Sequence, residues 1–158
     1  MPDHNGHPAI NVLYVDDEVH NLNSFKASFR RAYNVFITES ISTAMQILEN
    51  NEIHIIISDQ RMPEMTGIEF FESILDAYPE PIRMLLTGYA DINAVIGAIN
   101  KGQVYKYFSK PWNEAEIMKT ISEAYEIYCL RKENKELTEK LLDANEKLEF
   151  LLRQKLLS

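Results

Sequence analysis

The chain has 158 residues, of which 46% are hydrophobic and 10% aromatic, and its formal net charge is −8. This length leaves room for one ordinary domain and an extension, and the hydrophobic content argues against general disorder. The acidic balance, without any clustered Lys/Arg stripe, argues against nucleic acid as a partner, because binding to phosphates needs a basic face. The single cysteine, Cys129, cannot form an internal disulfide, which predicts a cytoplasmic protein. No apolar run approaches the roughly 18 residues of a membrane span, so no membrane partner is predicted.

The chain opens with a polar segment, residues 1–8, which predicts a flexible leader and has no features of a signal peptide. Short apolar runs then alternate with amphipathic segments. The predicted strands are residues 10–15, 33–38, 53–58, 82–86 and 104–108, and the predicted helices cover 19–31, 40–48, 68–75, 90–101 and 113–158. Alternating strands and helices of this kind are typical of a parallel sheet covered on both faces. We therefore predict an α/β fold, a doubly wound (βα)5 sheet of five parallel strands.

Polar side chains follow four of the five predicted strands. Asp16 and Asp17 follow the first strand, Asp59 the third, Thr87 the fourth and Lys110 the fifth. In a doubly wound sheet these positions converge on one edge, where crowded carboxylates need a cation such as Mg²⁺. A carboxylate beside Mg²⁺ can attack phosphorus and form an acyl phosphate. An ammonium group and a hydroxyl nearby can then neutralise and hydrogen-bond the phosphoryl oxygens.

Four motifs carry a family resemblance at these positions. They are Val15-Asp16-Asp17-Glu18, Ser58-Asp59-Gln60-Arg61-Met62-Pro63-Glu64-Met65-Thr66-Gly67, Leu86-Thr87-Gly88-Tyr89 and Phe108-Ser109-Lys110-Pro111. Together they resemble the receiver domain of bacterial two-component response regulators, over roughly residues 9–128. The resemblance implies a flavodoxin-like fold with strand order 2-1-3-4-5. It also implies a sensor histidine kinase or a phosphotransfer protein as phosphoryl donor.

The resemblance further implies a role for each site residue. Asp59 is expected to be the phosphoacceptor, and Mg²⁺ is expected to bind Asp16, Asp17, Asp59 and the backbone carbonyl of Arg61. Thr87 and Lys110 are expected to contact the phosphoryl group, and a cis peptide is expected between Lys110 and Pro111.

The switching hypothesis involves Thr87 and an aromatic residue on the fifth strand. The resemblance implies that Tyr107, three residues before Lys110, is this aromatic. Phosphate on Asp59 is expected to draw the Thr87 hydroxyl inward, and Tyr107 is expected to rotate into the space it leaves. Tyr105 and Phe108 are neighbours of Tyr107, so the sequence leaves open which of these aromatics belongs to the core.

The last predicted helix continues to the end of the printed sequence without Pro or Gly, and residues 129–158 form a predicted extension beyond the receiver. Its apolar positions keep a 3-4 alternation typical of a left-handed coiled coil. This seam consists of Ala124, Ile127, Leu130, Asn134, Leu137, Leu141, Ala144, Leu148 and Leu151. Residues 130–156 span about 40 Å as a helix. We predict a homodimer through this helix, with a single helix folded on its own receiver, or frayed in solution, as the alternative.

The predicted function is that of a response regulator that is phosphorylated on Asp59 and signals through the Thr87/Tyr107 face and the dimerising helix. The alternative is a receiver-fold scaffold that signals by coiled-coil association without phosphorylation. No enzyme activity is predicted beyond the chain's own phosphorylation and dephosphorylation, since an aspartyl-phosphate phosphatase needs an acid/base Asp where this chain has Arg61. A flavin site is not predicted. A flavin-binding protein of this topology needs a phosphate-binding loop rich in Ser, Thr and Gly after the first strand, where this chain has three acids. The sequence leaves open whether an effector domain follows.

Overall fold

A computed structural model describes residues 9–157, and the predicted leader, residues 1–8, lies outside this range. Strands and helices alternate along the described chain. The strands are β1 (Asn11–Val15), β2 (Asn34–Thr38), β3 (Ile55–Asp59), β4 (Ile82–Thr87) and β5 (Lys106–Ser109). The helices are α1 (Val19–Phe29), α2 (Ile41–Asn50), α3 (Gly67–Ile74), α4 (Ile92–Asn100) and α5 (Glu114–Leu157), and a 3-10 turn at Tyr89–Asp91 precedes α4.

The five strands form one sheet in the order β2-β1-β3-β4-β5, and every neighbouring pair is parallel. The predicted fold class and strand order are therefore confirmed. The chain moves outward from β1 to β2 and then returns to place β3 on the other side of β1. The carboxyl ends of β1 and β3 consequently flank the crevice in which such sheets bind their ligands.

The sheet has a hydrophobic core on each face, because successive strand residues point to opposite sides. Helices α1 and α5 cover one face, where Tyr14, Phe25 and Ile121 are fully buried. Helices α2, α3 and α4 cover the other face, where Leu13 and Phe70 are fully buried. This double covering explains why the strands read as nearly continuous apolar runs.

Several element boundaries differ from those predicted, most clearly around α4 and β5. The predicted helix over residues 90–101 is divided into the 3-10 turn and the shorter α4. Helix α4 ends at Asn100 because Gly102 adopts a left-handed conformation with φ 76°, which favours glycine after a helix. The chain then turns, and the backbone N–H of Tyr105 donates a hydrogen bond to the carbonyl of Arg83. Strand β5 therefore begins at Lys106 instead of residue 104.

Helix α5 is continuous over 44 residues, and Tyr128 is its last buried residue. Ala124 is fully buried in the core beneath the sheet, and Ile127 packs against the same cluster. These two residues therefore face the receiver's own core, so the exposed seam begins at Leu130. All residues from Leu130 to Leu157 are exposed.

Ion pairs connect the first turns of the exposed part of α5 to the base of the sheet. The Glu52 carboxylate accepts hydrogen bonds from the Tyr128 hydroxyl at 2.9 Å and from the Lys132 ammonium at 2.8 Å. The Lys135 ammonium contacts Glu80 at 3.1 Å. Exposed pairs of this kind contribute about 0–1 kcal/mol each, so they orient the helix more than they stabilise it. None of the helices within residues 9–157 is apolar enough over a sufficient length to cross a bilayer.

Candidate functional site

Three carboxylates meet at the crevice between β1 and β3. Asp16 directly follows β1, and Asp59 is the last residue of β3. Both are buried, whereas Asp17 is exposed at the mouth of the crevice. One oxygen from each of the three carboxylates lies within 4.8 Å of the others. The predicted convergence at the strand ends is therefore present in the structure.

Lys110 completes the charged cluster. Its ammonium nitrogen lies 2.8 Å from Oδ1 of Asp59. The backbone places it there, since the Lys110 N–H donates to the carbonyl of Thr87 at the end of β4. The peptide bond between Lys110 and Pro111 is cis.

The cluster has three carboxylates and one ammonium group, and both burial and this imbalance of charge act on the pKa values of its members. Burial raises the pKa of Asp59, the Lys110 ammonium opposes this, and Asp16 and Asp17 raise it further, so the net pKa is above the usual range. Partial desolvation is also the largest cause of the raised pKa of Asp17, and Asp16 and Glu18 add to it. Burial alone lowers the pKa of Lys110, but its hydrogen bond to Asp59 and the nearby acids outweigh this effect and raise it.

A divalent cation fits this donor set. Carboxylate oxygens are hard ligands, and Mg²⁺ is typically bound by one or two carboxylates while it retains several waters. The exposed position of Asp17 leaves the mouth of the cluster open to water. Burial first, and the neighbouring acids second, raise the pKa values of Asp59 and Asp17, and an added positive charge favours the ionised form of both groups.

The residues of the predicted switch lie on neighbouring strands. Thr87 is buried at the end of β4, and its hydroxyl donates to the carbonyl of Gly88 at 3.1 Å. Tyr107 pairs in register with Leu85 and is half-buried against the core of the α2–α4 face. Phe108, in contrast, is buried in the opposite core, and Tyr105 is 37% exposed. The structure thus places Phe108 in the core and leaves Tyr107 partly accessible.

Arg61 extends away from the carboxylate cluster. Its side chain is exposed, and Nε lies 2.9 Å from Oδ2 of Asp91 in the 3-10 turn before α4. This pair joins the loop after Asp59 to the loop after Thr87. The metal-ligand role predicted for the Arg61 carbonyl stays a prediction.

Sequence analysis missed two residues that shape the site. The Tyr14 hydroxyl donates to Asp16 Oδ2 at 2.6 Å. A signal for this contact existed, because residues two apart on a strand point to the same face. Gly67 belongs to the second motif, but the sequence gives no reason for a glycine there. In the structure, a Cβ built on it lies only 2.6 Å from the backbone oxygen of Asp59.

Comparison with known proteins identifies the family of the chain. The family model described as the response regulator receiver domain matches residues 12–122, which is more than half of the chain. The chain belongs to the response regulator receiver family. The matched range of this receiver includes all three carboxylates, Thr87, Tyr107 and Lys110.

One curated relative and two solved structures illustrate the similarity. The receiver is 33% identical over 122 residues to the hydrogenase transcriptional regulatory protein HoxA of Bradyrhizobium diazoefficiens, covering 77% of this chain and 25% of HoxA. An uncharacterized protein from Neptuniibacter caesariensis has 36% identity and a TM-score of 0.73, with 79% of this chain and 93% of that chain covered. The signal receiver domain of an HD domain-containing protein from Pseudomonas fluorescens Pf-5 has 29% identity, a TM-score of 0.72 and the same coverage of both chains.

These matches show that the chain is a receiver domain of the kind found in two-component regulators. The chain spans only about a quarter of the length of HoxA, so the similarity concerns the receiver portion of that regulator. Helix α5 lies beyond the residues matched by the family model from residue 123 onward.

Proposed function

We propose that Asp59 accepts a phosphoryl group from a phosphohistidine on a sensor histidine kinase or phosphotransfer protein, in a Mg²⁺-dependent reaction in the cytoplasm. The observation that carries this proposal is the 2.8 Å contact between the Lys110 ammonium and an Asp59 carboxylate that is grouped with Asp16 and Asp17. A buried carboxylate with a cation beside it, open on one side to two further metal ligands, is suited to bind and attack a phosphoryl group.

Each residue has a defined part in the proposed reaction. An oxygen of Asp59 forms a bond to phosphorus while the bond from phosphorus to the donor imidazole nitrogen breaks. Lys110 stays protonated, since its pKa is raised, and contacts the anionic oxygens of the phosphoryl group. Asp16, Asp17 and Asp59 hold Mg²⁺, which supplies positive charge against the developing negative charge on those oxygens. The Arg61 carbonyl is proposed as a further ligand.

The proposed signal starts at Thr87. In the present structure its hydroxyl donates a hydrogen bond to the Gly88 carbonyl. We propose that a phosphoryl oxygen on Asp59 competes with this carbonyl as the acceptor. Movement of the hydroxyl frees space on the side of β5 where Tyr107 is half-buried, and the ring rotates inward. This changes the surface formed by α4, β5 and α5.

Labelling of the purified chain tests the acceptor. Incubation with acetyl phosphate and Mg²⁺ is expected to add one phosphoryl group per chain, which hydroxylamine removes because it is an acyl phosphate. Peptide mapping by mass spectrometry after borohydride reduction should locate it at Asp59, and chelation with EDTA should prevent it. A chain that binds Mg²⁺ but is never labelled would favour the phosphorylation-independent scaffold.

We also propose that α5 pairs with a second copy of the chain. The proposal is supported by the exposed apolar side chains of the seam, such as Leu137, Leu141 and Leu148, each of which is more than half exposed. The side of α5 that contacts the receiver carries Tyr128, Lys132 and Lys135 instead, so attachment to the receiver leaves the seam free to pair.

Replacing Leu141 by Lys tests this pairing. Each copy of a two-stranded coil buries one Leu141, so the dimer loses two buried leucines, or about 3 kcal/mol, which weakens dimerisation by about 100-fold. Sedimentation equilibrium measures the association constant.

Leu142→Lys is the matched control, because Leu142 is similarly exposed but lies off the seam. It should associate like the unmodified chain. If the two variants show equal average masses in sedimentation at every protein concentration, pairing through the seam is contradicted. Light scattering with beryllofluoride and Mg²⁺ then shows whether site occupancy changes the mass.

A further inference from the structure

Asp16 is the most heavily hydrogen-bonded carboxylate of the acidic cluster. Its Oδ2 accepts from the Tyr14 hydroxyl at 2.6 Å and from the Asn21 amide at 3.2 Å. Its Oδ1 accepts from the Glu18 backbone N–H at 2.9 Å. A carboxylate has about four lone-pair sites, so these three bonds fix its orientation and leave room for a metal ion.

The Tyr14 ring is closely packed. Tyr14 is fully buried, and its ring stacks on Phe25 with centroids 4.3 Å apart and an interplanar angle of 22°. Trp112 packs edge-on against the same ring, at a centroid distance of 6.4 Å. The hydroxyl is therefore held at one point beside Asp16 by packing that does not depend on the hydroxyl.

The hydrogen bond from Tyr14 opposes the repulsion that acts on Asp16 within the cluster. With Asp17 and Asp59 oxygens within 4.8 Å, an Asp16 carboxylate free to rotate lowers its energy by turning away from them. We propose that Tyr14 is a positioning residue for the metal, whose hydroxyl holds Asp16 in the orientation that lets it share a divalent cation with Asp17 and Asp59. This inference rests on the proposed function, because it requires the cluster to bind Mg²⁺. Partners that orient a metal ligand in this way commonly affect metal affinity by about 10–100-fold.

Tyr14→Phe tests the proposal, because it removes only the hydroxyl and keeps the stacked ring. Mg²⁺ is titrated without a phosphodonor and followed by the fluorescence of Trp112, the only tryptophan of the chain. The Mg²⁺-induced rise in melting temperature gives a second readout, since a ligand stabilises the folded state that binds it. We expect the dissociation constant for Mg²⁺ to increase about 10-fold or more. Labelling by acetyl phosphate should slow at low Mg²⁺ and recover at saturating Mg²⁺.

Tyr33→Phe is the matched control. Tyr33 is a buried tyrosine at the far end of the same aromatic stack, where it packs on Phe29 at 6.3 Å. A purely structural role for the Tyr14 hydroxyl would change the melting temperature without Mg²⁺ and leave the Mg²⁺ affinity of Tyr14→Phe equal to that of Tyr33→Phe, which would overturn the inference. If the unmodified chain shows neither a fluorescence change nor a thermal shift with Mg²⁺, the metal site of the proposed function fails as well.

Discussion

Replacing Asp59 by Asn is expected to abolish labelling by acetyl phosphate while the chain remains folded. The Asn amide lacks the anionic oxygen that attacks phosphorus, so no acyl phosphate can form. Mg²⁺ affinity should fall as well, because one of three anionic ligands is lost. Stability should change little, since the loss of the ion pair with Lys110 is offset by two gains: no charged carboxylate is buried at this position, and its repulsion by Asp16 and Asp17 is gone. Mass spectrometry measures the label, and urea unfolding measures the stability.

A second carboxylate-to-amide change distinguishes the loss of the acceptor from the loss of one negative charge. Asp76→Asn removes the same charge at an exposed position after α3 and should leave the chain fully labelled. If Asp59→Asn still acquires an acyl phosphate at the normal rate, a different carboxylate is the acceptor. Asp16 is then the next candidate, because it is the other buried member of the cluster.

Gly67→Ala is expected to give the largest loss of stability among the changes considered. A Cβ at this position lies 2.6 Å from the backbone oxygen of Asp59 and 2.6 Å from a methyl group of Leu85. The Asp59 oxygen belongs to β3 and cannot move without disturbing the sheet, so the start of α3 must retreat. Overpacking of this kind typically costs about 1–3 kcal/mol. The shift also strains the hydrogen bond from the Gly67 N–H to the Gln60 carbonyl, so we expect slower labelling of Asp59.

Gly97→Ala is the control for the Gly67 prediction. A Cβ at Gly97 meets no atom within 4 Å, and the residue lies inside α4. Alanine is favoured over glycine in a helix interior by roughly 0.5–1 kcal/mol, so this variant should be at least as stable as the unmodified chain. Urea midpoints compare the two variants. A stable, normally labelled Gly67→Ala chain would mean that the close approach to Asp59 does not constrain the loop.

The sequence predicted the sheet and its polar edge well, for a physical reason. Strands buried on both faces need continuous apolar runs, and these runs end where the chain reaches solvent. Asp16 and Thr87 are therefore the first polar residues after apolar segments, and Asp59 and Lys110 each follow such a segment after a single serine. The structure brings all four to one edge. Boundaries were less predictable, because the end of α4 depends on the conformation of Gly102.

Periodicity alone could not say which layer each helical face meets. Ala124 and Leu130 both fit one apolar alternation along α5, yet Ala124 is fully buried under the sheet and Leu130 is exposed. The difference depends on where the helix leaves the sheet, and this is set by contacts distant in sequence, such as that between Tyr128 and Glu52. The coiled-coil pairing of the exposed part stays a prediction.

The amino-acid order by itself determined the alternation of strands and helices and the placement of charged residues after the strands, because both follow from local spacing. Only the tertiary structure decided that Phe108 is buried while Tyr107 is partly buried, and that the Tyr14 hydroxyl reaches Asp16. It also decided that Gly67 leaves no room for a side chain beside Asp59. These outcomes depend on which residues of distant segments share a surface, and that is fixed when the layers pack together.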